Sequence, residues 1–329
     1  RLETEHFAKL ALFCNVRREL VFEEPDVAHT IYEVPLELAD QDLDKYILEL
    51  LDLHVADLKM DDWRDLVRRI IQPGRGAVRI AVVGKYISLR DAYKSIYEAL
   101  MHGAAANDVR LDLLPLDSEA FETADGEAGA ALAGCAGVLV PGGFGTRGVE
   151  GKITAIRHAR EQGIPFLGIC LGMQCAAVEF ARHVCGFPLA ASTEVAPQTP
   201  DPVVALMDEQ RNVTGLGGTM RLGTWPCRLA AGSHAAEAYG TTDIQERHRH
   251  RYEINPAYVD VFRRHGLQAA GTSPDGRLVE MLELPAHPWF VACQFHPEFK
   301  SRPLAAHPLF RDFIQAAVNR RDARAAGQP

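Results

Sequence analysis

Apolar residues recur along the chain in two rhythms, and the change from one to the other divides it. Leu43, Ile47, Leu50 and Leu51, then Leu58, Trp63, Leu66, Val67 and Ile70 keep the spacing that lines one side of a helix, so residues 43–71 predict one or two amphipathic helices. Gln72-Pro73-Gly74-Arg75-Gly76 ends that pattern with helix-breaking chemistry. Upstream, Leu10-Ala11-Leu12-Phe13-Cys14-Asn15-Val16 reads as an extended apolar piece, and Ile31-Tyr32-Glu33-Val34-Pro35 leads into a further helical pattern. After the break, dense apolar runs predict strands over 78–83, 109–115, 138–140 and 164–169, with helices over 92–102, 153–162 and 173–182 between or after them. Strands and helices in alternation imply a mostly parallel sheet with crossover helices, whose ligands bind beyond the carboxyl ends of the strands. Residues 218–229, 249–254, 268–272, 278–284 and 290–295 read as a β-rich second half, 309–318 as a last helix, and 319–329 as a disordered tail.

Composition narrows the class. The chain has 329 residues, of which 47% are hydrophobic, 24% charged and 8% aromatic, which suits about two folded domains and not a collagen, a coiled coil or a disordered polymer. A net charge of −9 disfavours general nucleic-acid binding. No apolar run has the length of a membrane span, and the N-terminus Arg1-Leu2-Glu3-Thr4-Glu5 is charged where a signal peptide turns apolar, so a cytoplasmic chain is expected. The first residue is not methionine, which predicts a start inside a longer protein. Seven scattered cysteines without a Cys-x-x-Cys pair indicate neither a disulfide framework nor a zinc site.

One cysteine has a special backbone context. Gly168-Ile169-Cys170-Leu171-Gly172 lies where a predicted strand meets a predicted helix, the layout of a nucleophile elbow with Cys in place of Ser. The helix N-terminus would favour thiolate over thiol. The pentapeptide alone equally describes a glycine-bounded turn around an inert buried cysteine, so partners must decide. Pro141-Gly142-Gly143-Phe144-Gly145 follows another strand end and offers a backbone amide toward a tetrahedral oxyanion, together with the amide of Leu171. His296-Pro297-Glu298 follows a third, so that His296 can face Cys170 while Glu298 orients the imidazole.

With these residues in place the sequence resembles the class I (triad) glutamine amidotransferases and, more closely, the C-terminal part of the CTP synthase family. The likeness is carried by Gly84-Lys85-Tyr86-Ile87 through Asp91-Ala92-Tyr93-Lys94-Ser95, by residues 141–151 and 168–174, by Gly217-Gly218-Thr219-Met220-Arg221-Leu222-Gly223, by Arg247-His248-Arg249-His250-Arg251-Tyr252-Glu253 and by residues 294–299. The resemblance implies an α/β fold of the class I amidotransferase kind, with a mostly parallel central sheet flanked by helices and a partial N-terminal synthetase segment. Residues 1–55 would be the end of the synthetase (amidoligase) domain, 56–76 a helical linker and 77–318 the amidotransferase domain. It also implies glutamine hydrolysis by Cys170, His296 and Glu298, an oxyanion hole from the Gly143 and Leu171 amides, and glutamine held by Gly143, Gln174, Glu194 and Arg251. The ammonia would serve ATP-dependent amination of UTP to CTP in pyrimidine nucleotide biosynthesis, with ATP and Mg2+ used by the full-length enzyme and no cofactor or metal in this chain. GTP would act as an allosteric activator near Phe144, Arg147 and Arg221, and the full-length protein would be a homotetramer without nucleic-acid or membrane partners. No Gly-x-x-x-x-Gly-Lys-[Ser/Thr] phosphate loop occurs here, so this chain alone is not expected to make CTP.

Other readings are weaker. Gly143-Phe144-Gly145-Thr146-Arg147-Gly148 fits a dinucleotide fingerprint, but the place of its ribose-binding acid is taken by Gly168-Ile169-Cys170. His248 and His250 alternate with arginines on a predicted strand, and two histidines are too few for zinc. Another class I amidotransferase, a γ-glutamyl hydrolase, and a catalytically silent regulatory or filament-forming module are the remaining alternatives. Cys175 is expected to point away from the pocket.

Overall fold

A computed structural model describes residues 2–55, 58–122, 125–206 and 220–327. The chain forms two compact units, Arg1–Arg75 and Gly76–Pro329.

The first unit is helical: α1 (Thr4–Cys14), α2 (Val34–Ala39), α3 (Leu43–Leu50) and α4 (Asp61–Ile71). Residues 10–14 of the run at 10–16 therefore belong to a helix and not to an extended piece. A short apolar stretch has no periodicity to separate the two, and here Leu12 and Phe13 are 79% and 77% exposed, with Asn15 closing the helix in the left-handed region. Trp63 Nε1 donates to the Tyr32 carbonyl at 2.8 Å, tying α4 to the turn before α2.

Among the described residues, the second unit is built on a nine-stranded sheet. Its strands are β1 (Ala77–Gly84), β2 (Arg110–Asp117), β3 (Gly137–Val140), β4 (Phe166–Ile169), β7 (Arg221–Leu229), β8 (Asp243–His250), β10 (Gln268–Thr272), β11 (Val279–Glu283) and β12 (Phe290–Cys293), in the order β2-β1-β3-β4-β12-β11-β10-β7-β8. Pairing is parallel from β2 to β12 and antiparallel from β12 to β8. The mostly parallel expectation thus describes the half that carries crossover helices. β5 (Ala191–Ser192), β6 (Pro202–Leu206) and β9 (Tyr252–Ile254) form a small second sheet. The single strand expected over 249–254 is consequently two strands in two sheets, with Arg251 at the corner. The first two residues of the strand expected over 218–229, and Gly217 before them, lie outside the described residues.

The parallel strands are apolar on both faces because both are covered. Val78, Ile80 and Val82 of β1 point to the layer of α5 (Lys94–Ala106) and α11 (Pro308–Ala325), against Leu100, Phe310 and Phe313. Ala81 and Val83 point the other way, to the layer of α7 (Val149–Glu161) and α8 (Leu171–His183), against Ile153, Ile156, Met173 and Phe180. Helices α6 (Asp125–Ala131), α9 (His234–Tyr239) and α10 (Val259–Arg264) complete the unit. Of the tail expected to be disordered, residues 319–325 instead continue α11. Arg320 and Arg321 donate to the Gly163 and Ala77 carbonyls, both at 3.0 Å, and pin its last turns to the turn before β4 and the start of β1.

A Cβ on Gly151 would stand 1.7 Å from the Ser118 carbonyl oxygen. Gly151→Ala is expected to lower stability by about 1–3 kcal/mol through forced separation of α7 from that turn, read as a drop in urea midpoint at unchanged m-value.

Candidate active site

Four neighbouring parallel strands, β1, β3, β4 and β12, end on the same edge of the sheet, and each delivers one part of a cluster there. Register does the aligning: Val140 lies opposite Gly168, and Cys293 opposite Ile169. Lys85, Pro141, Cys170 and Gln294 are therefore the next residues out from four adjacent strand ends.

Cys170 sits at the N-terminus of α8 with φ 53° and ψ −105°, a left-handed conformation that costs a non-glycine residue about 1–3 kcal/mol. The turn is fixed from both sides. The Cys170 amide donates to the Cys293 carbonyl at 2.7 Å, and its own carbonyl accepts from the Met173 and Gln174 amides at 3.0 and 3.2 Å. Its flanking glycines are obligatory: a Cβ on Gly172 would stand 2.1 Å from the Val140 oxygen, and one on Gly168 within 2.9 Å of the Phe166 ring. The residue is 3% exposed.

His296 and the cysteine share the space under the Pro-Gly-Gly turn. A Cβ on Gly142 would stand 3.1 Å from His296 Cε1 and 3.5 Å from Cys170 Cβ, so the ring and the thiol stem flank one point, and only glycine leaves it open. His296 Nδ1 donates to Glu298 Oε1 at 2.8 Å, because an ionised carboxylate can only accept. That fixes the ring and leaves the buried Nε2, which has no hydrogen-bond partner within range, as the atom available for exchange with the sulfur. Burial alone would lower the imidazole pKa, yet Cys170 and Glu298 outweigh it and raise it to about 10. That shift favours the protonated ring.

Gln294, one residue beyond β12 and fully buried, donates to Cys170 Sγ at 3.6 Å and accepts from Gln174 Nε2 at 3.2 Å. Sequence reasoning missed it as a site residue, although it stands two before His296. Gln174 also donates to the Tyr252 carbonyl at 3.1 Å. Glu194 accepts from the Gly145 amide at 2.9 Å, and Glu194 and Arg251 act with opposite sign on Tyr252. Gly143 and Gln174 thus adjoin the cysteine through Leu171 and Gln294, while Glu194 and Arg251 lie near Tyr252, whose carbonyl Gln174 holds. The Leu171 amide lies in the first turn of α8, where no intrahelical acceptor exists, and a Cβ on Gly143 would be 3.5 Å from the Leu171 side chain.

Two lysines missed in the sequence lie beneath the turn. Lys85 donates to the Phe144 carbonyl and, at 3.4 Å, to that of Gly145, and Lys152 to that of Pro141 at 3.3 Å. Phe144 is 49% exposed, with the Arg249 guanidinium 5.8 Å from its ring centre. Arg147 is exposed, pairs with Glu119 and donates to the Lys85 carbonyl at 2.9 Å.

Arg221 corrects the sequence reading. It is buried, 2.6 Å from Glu280 and 3.7 Å from Glu253, and is not exposed for a nucleotide. His248 and His250 face inward as the strand alternation predicts and bond each other at 2.9 Å. Burial and Arg221 push them down to about 2 and about 3. Cys175 is buried on α8, its thiol pushed up to about 11 by burial.

The fold agrees with the comparisons. The family model described as "Glutamine amidotransferase class-I" matches residues 88–316, and the chain belongs to that family. A second family model, "CTP synthase N-terminus", matches residues 1–53. Among curated proteins the chain is similar to the CTP synthase of Geobacter sulfurreducens, 51% identical over 317 residues that cover 96% of this chain and 59% of the relative. It is likewise similar to that of Moorella thermoacetica, 54% identical over 312 residues covering 95% and 57%. The chain therefore spans less than two thirds of the length of these relatives. Among solved structures it resembles the glutaminase domain of Trypanosoma brucei CTPS with bound acivicin, at TM-score 0.70 and 42% identity, covering 74% of this chain and 94% of that one. No described helix is long and apolar enough to cross a membrane.

His296→Ala removes the cation beside the sulfur. Alkylation of Cys170 by iodoacetamide at pH 7 is expected to slow about tenfold, followed by peptide mass spectrometry so that the exposed Cys14 is counted separately; an unchanged rate would disconnect the ring from the thiol.

Proposed function

We propose that this chain hydrolyses the side-chain amide of glutamine through a Cys170–His296–Glu298 triad. The observation that carries this is the shared point beneath Gly142, flanked by the His296 ring and the stem of an elbow cysteine. The Cys170 thiolate attacks the carboxamide carbon, and the resulting oxyanion is met by the Gly143 and Leu171 amides. His296 then gives its proton to the departing nitrogen, releasing ammonia and leaving a glutamyl thioester. The neutral imidazole takes a proton from water, which cleaves the thioester to glutamate and restores the thiol. Glu298 keeps Nδ1 protonated throughout.

Glutamine offers an ammonium to Glu194 and a carboxylate to Arg251, with Gln174 and Gly143 completing its seat. In the longer protein the ammonia is used to aminate UTP to CTP at the expense of ATP, with Mg2+, in pyrimidine nucleotide biosynthesis within a homotetramer. None of the side chains assigned above holds ATP or the metal. GTP activates at the exposed face of Phe144 and Arg147; Arg221 is left out because its guanidinium is taken by Glu280.

Glutamate release from glutamine by the purified chain is the test, with and without GTP. Cys170→Ala is expected to abolish it, and equal release by variant and wild type would remove the cysteine from the reaction. Arg251→Ala is expected to raise KM roughly 10- to 100-fold with a smaller change in kcat, as fits a lost charged hydrogen bond. A silent module would show no release from either protein.

A further inference from the structure

Lys152 lies in the first turn of α7 behind the Pro141-Gly142-Gly143 turn and is 0% exposed. Its Nζ donates to the Pro141 oxygen at 3.3 Å and stands 3.6 Å from the place of a Cβ on Gly143. The titratable groups facing it are Cys175 on α8, Lys85 at the end of β1 and Cys170 at the elbow; no carboxylate is among them. A buried ammonium with three donors and, among the described residues, one protein acceptor and no counter-ion is an unfavourable arrangement. Its place explains it. A trans peptide carries C=O and N–H on opposite sides, so with the Pro141 oxygen turned toward Lys152, the Gly142 N–H is turned away from it. Gly142 is the residue whose open side faces His296 and Cys170.

We infer that Lys152 is a positioning residue of the glutamine-hydrolysing centre: it holds the Pro141 carbonyl, which fixes the first peptide plane of the Pro141-Gly142-Gly143 turn that presents the oxyanion amide, and places a positive charge behind that turn. This rests on the amide-hydrolysis reading above. Burial lowers the Lys152 pKa to about 8, opposed by Cys175 and assisted by Lys85, whereas His296 holds its proton to about 10. The ammonium is present below pH 8 and lost above it, so the turn slackens in the alkaline range before the imidazole titrates.

The test compares two reactions of one sulfur in the full chain. Glutamine hydrolysis develops an oxyanion; alkylation by iodoacetamide is a displacement at carbon and does not. Lys152→Met is expected to lower kcat for glutamate release about 10- to 100-fold with KM within about threefold and Cys170 alkylation within about threefold. Lys152→Gln, which keeps an N–H donor, recovers part of kcat. Wild-type kcat declines above about pH 8, alkylation does not, and the decline is absent from Lys152→Met. A kcat within about threefold of wild type, or hydrolysis and alkylation lost in parallel, overturns the inference. Should the Met variant not fold, a wild-type kcat flat from pH 7 to 9 overturns it alone. A wild-type chain that alkylates normally but releases no glutamate refutes the hydrolysis reading instead.

Discussion

The Val140 carbonyl oxygen stands 2.1 Å from where a side chain on Gly172 would begin, and that close approach governs the rest of the centre. It lets α8 start against the end of β3, which brings the Pro-Gly-Gly turn over the elbow instead of beside it. With the helix start and the strand end pressed together, Cys170 has no relaxed conformation available and is held at φ 53° by hydrogen bonds on both of its peptide groups. The strain is therefore distributed through a packed sheet edge, and the thiol keeps one orientation against the imidazole.

Charge around the sulfur is layered. The His296 ring flanks the cysteine stem, Lys85 and Lys152 lie under the turn, and Arg221 is paired with Glu280 and Glu253. The two inward histidines of β8 would add further positive charge were they not pushed down to about 2 and about 3. Remaining neutral, they pack against the centre without repelling its imidazolium. Burial also drives the Glu253 and Glu280 carboxyls upward, with Arg221 opposing it. In a region with little solvent such fields are poorly screened.

The glycine-rich turn after β3 shows why a motif needs its surroundings. As a string, Gly143-Phe144-Gly145-Thr146-Arg147-Gly148 fits a dinucleotide loop. In the fold, the Gly145 amide that a pyrophosphate would approach is taken by the Glu194 carboxylate, while Lys85 holds the Phe144 and Gly145 carbonyls. An acidic side chain on that amide suits the ammonium of an amino acid and repels a phosphate.

Much of this protein is local and was legible as such. The apolar runs of β1, β3, β4 and β12 declare buried parallel strands, the helix breaker at 72–76 stands where the two compact units meet in sequence, and the Gly-x-Cys-x-Gly and His-Pro-Glu strings announce their own turn chemistry. Where spacing was silent, the reading failed: residues 10–14 belong to a helix, and 319–325 continue α11, where Arg320 and Arg321 reach carbonyls distant in sequence. The contributions of Gln294, Lys85 and Lys152, and the burial of Arg221, likewise depend on which strand ends lie side by side. Sequence alone set the elements and the reactive residue types, because these follow from periodicity and turn preference. Tertiary structure decided which charges are desolvated and whom they face, because that depends on strand order and register across long separations.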